Sequence, residues 1–98
     1  MPIHNSDIAR IFNKVADLLE ISAANPFRVR AYRNPARTVE DQPQSIGGML
    51  EEGEDLSELA GIGEDLAGKI TEIIETGSLK MLEELEQELP GELAQLLN

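Results

Sequence analysis

Apolar residues recur at intervals of three and four along almost the whole chain, a spacing that places them on one face of an α-helix. The clearest run follows Ser6-Asp7, which we take as a helix start, and consists of Ile8, Ile11, Phe12, Val15 and Leu19. No segment alternates apolar and polar residues as a half-buried strand does. The sequence therefore predicts an all-α fold, a compact bundle of short helices that forms a single domain over residues 1–98.

Proline residues mark the second predicted helix. Asn25-Pro26 combines a favoured N-cap residue with a proline at the first helical position. We expect Phe27, Ala31 and Tyr32 to face inward from this helix. Pro35 predicts a kink or a break into two short helices, because its ring disfavours helical geometry at the preceding residue and it has no N–H to donate.

The second half of the chain is divided by caps and glycines. Three polar residues are expected to cap further helices: Ser45, Asp55 and Ser78. The longest of the helices here is predicted over 64–76 and is expected to end at Gly77 in the left-handed conformation. The helix after Ser78 should bury four leucines, Leu79, Leu82, Leu85 and Leu89, and a last short helix should follow Pro90-Gly91.

Several classes of protein are excluded by what the sequence lacks. The chain has no cysteine, which excludes disulfide scaffolds and cysteine zinc sites. No apolar run approaches the roughly 20 residues of a membrane span. The first ten residues also lack the apolar stretch of a signal peptide. We therefore expect a soluble, cytoplasmic protein that does not act at a membrane.

Charge is distributed unevenly along the chain. The formal net charge of −11 by itself opposes binding to nucleic acid phosphates. Residues 1–50, however, hold six basic and five acidic side chains, whereas residues 51–98 hold two basic and fourteen acidic ones. An arginine cluster falls within ten positions and comprises Arg28, Arg30, Arg33 and Arg37. This cluster predicts either a phosphate-binding stripe or a solvated face that pairs with glutamates of the second half.

The segment most informative about function is Gly61-Ile62-Gly63, which lies between two predicted helices. These helices should pack through four apolar residues, Leu56, Leu59, Leu66 and Ile70. The glycines allow a sharp hairpin and bare the backbone N–H groups at the start of the second helix, where the helix dipole favours an anion. The pattern indicates a helix-hairpin-helix that binds DNA phosphates through its backbone. A plain tight turn between two helices is the alternative interpretation.

Three motifs together resemble a known family. They are Asn25-Pro26-Phe27-Arg28-Val29-Arg30-Ala31-Tyr32-Arg33, Leu59-Ala60-Gly61-Ile62-Gly63 and Ile74-Glu75-Thr76-Gly77-Ser78-Leu79. Over residues 8–97 the chain is similar to the N-terminal domain of X-family DNA polymerases, most of all the bacterial and archaeal branch. The resemblance implies binding at the 5′ side of a gap in damaged DNA, in a base-excision repair enzyme. Gapped or nicked duplex DNA is then the expected partner of a monomeric domain, with polymerase domains in cis if the chain is a fragment.

The resemblance also implies roles for individual residues. Lys69 matches the lysine that forms a Schiff base in family members that remove a 5′-deoxyribose phosphate. Tyr32 and Arg28 match a hydroxyl-bearing and a basic pocket residue. Backbone carbonyls of the hairpin hold a monovalent cation in the family, Na⁺ or K⁺, and here they belong to Ser57, Leu59 and Ile62. No other cofactor is expected.

The chain departs from the family pattern at three positions. Asp65 stands where the family has a basic ligand of the 5′-phosphate, Met81 replaces another basic pocket residue, and Ala60 replaces a proline. An acid at position 65 repels a phosphate, which favours DNA binding over lyase chemistry. The chain also ends at Asn98, with no polymerase palm after it, so we expect an excised domain or a stand-alone relative that does not itself polymerise DNA.

Three functions follow as hypotheses. The first is DNA binding without sequence specificity, through these residues: Gly61, Ile62, Gly63, Arg28, Arg30, Tyr32 and Arg33. The second is a lyase that uses Lys69, although Asp65 and Glu72 on adjacent turns favour its charged form and make a surface ion pair the competing interpretation. The third is a protein-interaction module that presents its acidic second half to a basic partner.

Overall fold

The computed structural model describes residues 3–22 and 24–88, and within them the chain is helical with no strand. Five α-helices and one 3-10 helix follow in the order α1 (Asn5–Ile21), α2 (Pro26–Asp41), α3 (Ile46–Glu51), the 3-10 helix (Leu56–Glu58), α4 (Glu64–Thr76) and α5 (Lys80–Glu88). The predicted all-α fold is confirmed. Leu89 and the helix expected after Pro90-Gly91 lie outside the described residues.

Helices α1 and α2 form the centre of the domain, and α1 also packs against α4 and α5. The apolar face predicted for α1 is buried, and Phe12 is completely enclosed. Its ring meets the ring of Tyr32 from α2 edge to face, with centroids 6.0 Å apart. From the other side of the core, Ile70 and Ile73 of α4 are also fully buried. One continuous apolar core therefore joins the N-terminal helices to the hairpin.

Helix α1 begins earlier than the sequence indicated. Its N-cap is His4, and Ser6 lies inside the helix, so the predicted start at Ser6-Asp7 is wrong by two residues. The physical reason lies in Asp7, whose Oδ2 accepts the backbone N–H of His4 at 2.9 Å. An acid at the third helical position thus reaches back to the N-cap backbone, as in one half of a capping box.

Helix α2 starts as predicted but differs from expectation in two respects. Asn25 Oδ1 accepts the Phe27 N–H at 2.7 Å, which confirms the cap. The helix then continues through Pro35 to its end at Asp41, so of the two alternatives predicted at Pro35 the break into two helices is wrong. Phe27 and Ala31, expected to face inward, are exposed, and only Tyr32 of the three is buried.

The inward face of α2 is set by four residues at helical spacing, Val29, Tyr32, Ala36 and Val39. Their positions differ by three, four and three residues, so they form one stripe. Phe27 precedes this stripe by two residues, and Ala31 lies five before Ala36, which places both on other sides of the helix. Pro35 lies beside the stripe and is itself buried, so packing of its ring compensates for the hydrogen bond it cannot donate.

The remaining caps are mostly as predicted. Ser45 Oγ accepts the Gly48 N–H, and Gly77 ends α4 with φ 79°. Asp55 caps a single turn of 3-10 helix that ends at Glu58, where the sequence predicted a helix over 56–60. Ser78 does not cap α5, since the helix begins at Lys80 and the Leu79 carbonyl accepts the Leu82 and Glu83 N–H groups; the Lys80 N–H is bound by a carboxylate of α4.

Glu72 provides that carboxylate, and its Oε2 accepts the Lys80 N–H at 2.6 Å. This bond acts as a helix cap supplied from another helix, so Glu72→Ala should destabilise the domain by about 1 kcal/mol. Amide hydrogen exchange at Lys80 should become faster, and urea unfolding should report the lost stability. Glu75→Ala is the matched control, since Glu75 is exposed on the same helix. Equal effects of the two substitutions would contradict the capping role.

Candidate functional site

The glycine turn has the sharp geometry that its sequence predicted. Gly61 adopts a left-handed conformation with φ 76°, which residues with a Cβ rarely adopt. Ile62 is buried, and its N–H donates to the Leu59 carbonyl at 3.0 Å. Gly63 is the N-cap of α4 in an extended conformation, φ −91° and ψ −174°. The turn is thus anchored in the core by one side chain and has a glycine on each side of it.

The N-terminus of α4 has no side-chain cap. The first backbone bond of the helix runs from the Ala67 N–H to the Gly63 carbonyl at 2.9 Å. The N–H groups of Glu64, Asp65 and Leu66 precede that bond and have no acceptor among the described residues. By contrast, α2 and α3 begin with the side-chain caps Asn25 and Ser45. The hairpin therefore presents a row of free donors at the positive end of a helix.

Exposed carboxylates lie before the glycine turn and in the first turn of α4. Glu58, Glu64 and Asp65 are exposed, and so is Asp55 before the turn. A hydrogen bond from the Ser57 hydroxyl to Asp55 Oδ1, at 2.6 Å, and one from the Ser57 N–H lower the pKa of the Asp55 carboxyl. Asp55 is therefore charged at neutral pH. These negative charges repel an anion at the hairpin, and salt at physiological concentration screens the repulsion.

The arginine cluster is divided between two sides of α2. Arg30, Arg33 and Arg37 are spaced by three and four residues and share the outer face, whereas Arg28 lies one turn before Tyr32 on another flank. Arg33 is already paired, with Asp17 Oδ1 at 2.9 Å and Glu20 Oε2 at 3.5 Å. Its partners belong to α1, not to the second half of the chain.

Arg28 and Arg30 are exposed and, unlike Arg33, are not paired with a carboxylate of the described residues. The Arg30 guanidinium lies 4.8 Å from the centre of the Phe27 ring, a cation–π contact. Arg28 forms no ion pair with any residue that the structure describes. Sequence reasoning missed the exposed Phe27, although the spacing of Val29, Tyr32 and Ala36 would have shown that it lies off the buried face.

Lys69 is held by Asp65 across one turn of α4. Its Nζ donates to both carboxylate oxygens, at 2.9 and 2.8 Å. Partial burial by itself lowers the pKa of Lys69, but the hydrogen bonds from Nζ to Asp65 and the nearby oxygens of Asp65 and Tyr32 outweigh it and raise that pKa above its ordinary value. Asp65 thus has the effect predicted for it. Glu72 does not, since its carboxylate binds the start of α5.

Tyr32 and Met81 lie beside the pair of Asp65 and Lys69. We call these four residues the Lys69 cluster. The Tyr32 hydroxyl donates to the Met81 sulfur at 3.3 Å. The cluster draws one residue from α2, two from α4 and one from α5. Four of the positions that the family resemblance assigned to a pocket are therefore close in space, with an acid and a thioether at two of them.

The raised pKa of Lys69 leads to a prediction about protonation. A raised folded-state pKa means that the ion pair stabilises the fold below the unfolded-state pKa and is lost only as the pH rises through the folded-state value. Asp65→Asn should therefore lower the pKa of Lys69, followed by NMR titration of its ε-carbon in alkaline solution. Glu64→Gln, which removes a neighbouring charge without touching Lys69, should change the pKa much less. An unchanged pKa in Asp65→Asn would contradict the pairing.

The three backbone carbonyls that the family resemblance assigned to a cation differ in whether they accept a hydrogen bond. The Leu59 carbonyl accepts the Ile62 N–H, whereas the Ser57 and Ile62 carbonyls accept no hydrogen bond from the described residues. Neutral oxygen donors near several carboxylates suit a hard cation. No group of histidine and carboxylate side chains within residues 3–22 and 24–88 could hold a metal ion.

Comparison with known proteins agrees with this architecture. The family profile described as a helix-hairpin-helix domain matches residues 3–79, and the chain belongs to this family. The chain is also 36% identical over 95 residues to the DNA polymerase/3′-5′ exonuclease PolX of Bacillus subtilis (strain 168). The aligned residues cover 97% of this chain and 16% of that polymerase. The predicted resemblance to the bacterial X-family branch is confirmed. Among the described helices, none is long and apolar enough to cross a bilayer.

Proposed function

We propose that this domain binds duplex DNA at gaps or 5′ ends, through its phosphates and without sequence specificity. The observation that carries the proposal is the uncapped start of α4 behind Gly61-Ile62-Gly63 in a chain of the helix-hairpin-helix family. Free N–H groups at a helix N-terminus bind a phosphate oxygen directly. Such contacts need no basic side chain, which reconciles DNA binding with a net charge of −11.

The hairpin also meets the steric requirement for close approach. A Cβ added to Gly63 would have no heavy atom within 4 Å, so the space beside this residue is open. At Gly61 the nearest atom would be Thr38 Oγ1, 3.9 Å away. No side chain from elsewhere in the described residues therefore fills the space beside these two glycines, which leaves it open to a DNA backbone.

Arg28 and Arg30 are the side chains we propose as additional phosphate contacts. Both are exposed, and neither forms an ion pair with a carboxylate of the described residues. Arg28 lies one helical turn before Tyr32, while Arg30 lies on the outer face. Arg33 contributes less, because its guanidinium would first have to leave Asp17.

A salt series with a gapped duplex tests the proposed function. If about four phosphates are contacted, raising salt from about 50 to 200 mM should weaken binding roughly a hundredfold. Competition with duplexes of other sequence should be equally effective, since phosphate contacts carry no base information. Absence of binding at the lowest salt would overturn the proposal and favour an acidic protein-interaction module.

The relative suggests the setting in which the domain works. The chain spans 16% of the length of the B. subtilis polymerase. We propose that it serves as the DNA-holding part of a larger repair polymerase of the X family, where a non-specific grip near a gap would retain the substrate for the catalytic domains. Specificity for damaged sites would then come from DNA structure.

A monovalent cation at the hairpin is part of the proposal. The carbonyls of Ser57, Leu59 and Ile62 would hold Na⁺ or K⁺, and two of the three have no competing hydrogen bond from the described residues. The cation would supply a positive charge beside the exposed carboxylates. It would thereby offset part of their repulsion of the DNA backbone.

The alternative lyase function receives no support from the Lys69 geometry. A Schiff base requires the unprotonated amine, whereas the contacts with Asp65 favour the ammonium. Borohydride trapping on an incised abasic duplex tests this alternative directly. An adduct that disappears in Lys69→Ala would establish the lyase, and its absence would leave DNA binding as the function of the domain.

A further inference from the structure

Met81 differs in burial from Met49, the other methionine that the structure describes. Met49 is buried, with 8% of its surface exposed. Met81 packs against the core from α5 but is only partly buried. Exposure favours the oxidation of a sulfur-containing side chain. A small oxidant dissolved in water therefore reaches Met81 more readily than Met49.

The Met81 sulfur also has a hydrogen-bond donor directed at it. The Tyr32 hydroxyl donates to this sulfur at 3.3 Å, whereas the donor at the Met49 sulfur, Nε2 of Gln42, lies farther away at 3.9 Å. The Lys69 ammonium lies near the oxygen of the same hydroxyl and cannot accept its hydrogen. A thioether is only a weak acceptor. A stronger acceptor on the side chain at position 81 would therefore improve the hydrogen bond of Tyr32.

Oxidation of the sulfur supplies such an acceptor. With hydrogen peroxide, a sulfur lone pair forms the S–O bond and the O–O bond breaks. The hydroxyl proton of the transferred oxygen passes to the departing hydroxide, which leaves as water. The thioether is thereby oxidised to a sulfoxide and the peroxide is reduced. The new oxygen is polar, and in a core without a donor for it the change disrupts packing.

We propose that Met81 is a site of oxidation by peroxides, and that the Tyr32 hydroxyl donates to the resulting sulfoxide oxygen, so that the oxidised domain keeps its fold. Rotation within the flexible methionine side chain brings the oxygen to the hydroxyl while α2 and α5 stay in place. The site depends on the contact between these two helices and is independent of DNA binding. Because the family pattern has a basic residue at position 81, the site is a feature of this chain.

Timed oxidation of the whole chain by dilute hydrogen peroxide at neutral pH tests the difference in access. After the peroxide has been removed, proteolysis and mass spectrometry give the sulfoxide fraction at each methionine separately. Met81 should be oxidised several times faster than Met49. Equal rates at the two positions, or a faster rate at Met49, would overturn the inference.

Thermal melts of reduced and oxidised protein test the role of Tyr32. The unmodified hydroxyl is compared with Tyr32→Phe, and both chains carry Met49→Leu so that a change at Met49 does not contribute. Oxidation should lower the Tm of the Tyr32→Phe chain by about 4–8 °C more than that of the chain with the hydroxyl, the shift expected for one lost hydrogen bond in a domain of this size. An equal loss in the two chains would show that Tyr32 does not bind the sulfoxide oxygen.

Met81→Gln provides a second test that needs no oxidant. The amide oxygen of glutamine is a strong acceptor, whereas the side chain in the matched control, Met81→Leu, cannot accept a hydrogen bond. Adding Tyr32→Phe should therefore lower the Tm more in Met81→Gln than in Met81→Leu. The Tm of Met81→Leu should also be unaffected by peroxide when Met49→Leu is present. Equal effects of Tyr32→Phe in both backgrounds would overturn the role assigned to its hydroxyl.

Discussion

Replacing Phe12 with alanine should destabilise the domain by about 3–5 kcal/mol, the usual range for removal of a buried aromatic ring. Phe12 is 0% exposed, and its ring packs edge to face on Tyr32. Small domains have a total stability of roughly 5–15 kcal/mol, so this one substitution should remove much of it. The loss should extend to the hairpin, because α1 packs against both α2 and α4.

Urea unfolding followed by far-ultraviolet circular dichroism measures this effect. Phe27→Ala provides the matched control, since Phe27 is 74% exposed and contacts Arg30 through its ring face. Its removal should cost no more than about 1 kcal/mol, the value of an exposed cation–π contact. If the two substitutions cost the same, the assignment of Phe12 to the core and Phe27 to the surface would be wrong.

Gly63→Val should abolish most DNA binding while the domain stays folded. The conformation of Gly63 is extended, with no atom within 4 Å of an added Cβ, so valine fits the backbone. As a poorer N-cap residue it should cost about 1 kcal/mol or less. Its side chain would, however, stand between a phosphate and the N–H groups of α4, and the Kd for a gapped duplex should rise at least about tenfold.

Gly53→Val should behave in the opposite way. Gly53 has φ 79°, outside the hairpin and with open space around it. A β-branched residue is strained there by about 1–2 kcal/mol, so stability should fall while the folded fraction keeps its affinity for DNA. Retained binding in Gly63→Val would remove the hairpin from the binding site, whatever the result for Gly53→Val.

Some residues of the candidate site could be predicted from the sequence alone, and others could not. Gly61, Ile62 and Gly63 were predicted with their turn, because a left-handed glycine and a buried residue between two helices leave a local signature. The ion pair between Asp65 and Lys69 was also predictable, since residues four apart on a helix are neighbours. Neither prediction required knowledge of how the helices pack.

The partners of Arg33 could not be predicted in this way. Arg33 was expected to bind phosphate or a glutamate of the second half, but Asp17 and Glu20 of α1 hold it. The choice depends on the packing of α1 against α2, which brings together residues at least 13 positions apart. The contact of Tyr32 with Met81 spans 49 positions and has no local signal at all.

The sequence by itself determined those features that depend on neighbouring residues. The bounds of α4 over 64–76, the caps Asn25, Ser45 and Asp55, and the left-handed Gly77 follow from local hydrogen bonding and backbone sterics. Only the tertiary structure decided that α2 runs unbroken through Pro35 and that Phe27 is exposed. The physical reason is that burial is a property of the whole core: packing of the α2 stripe against α1 outweighs the local preferences of one proline and one phenylalanine.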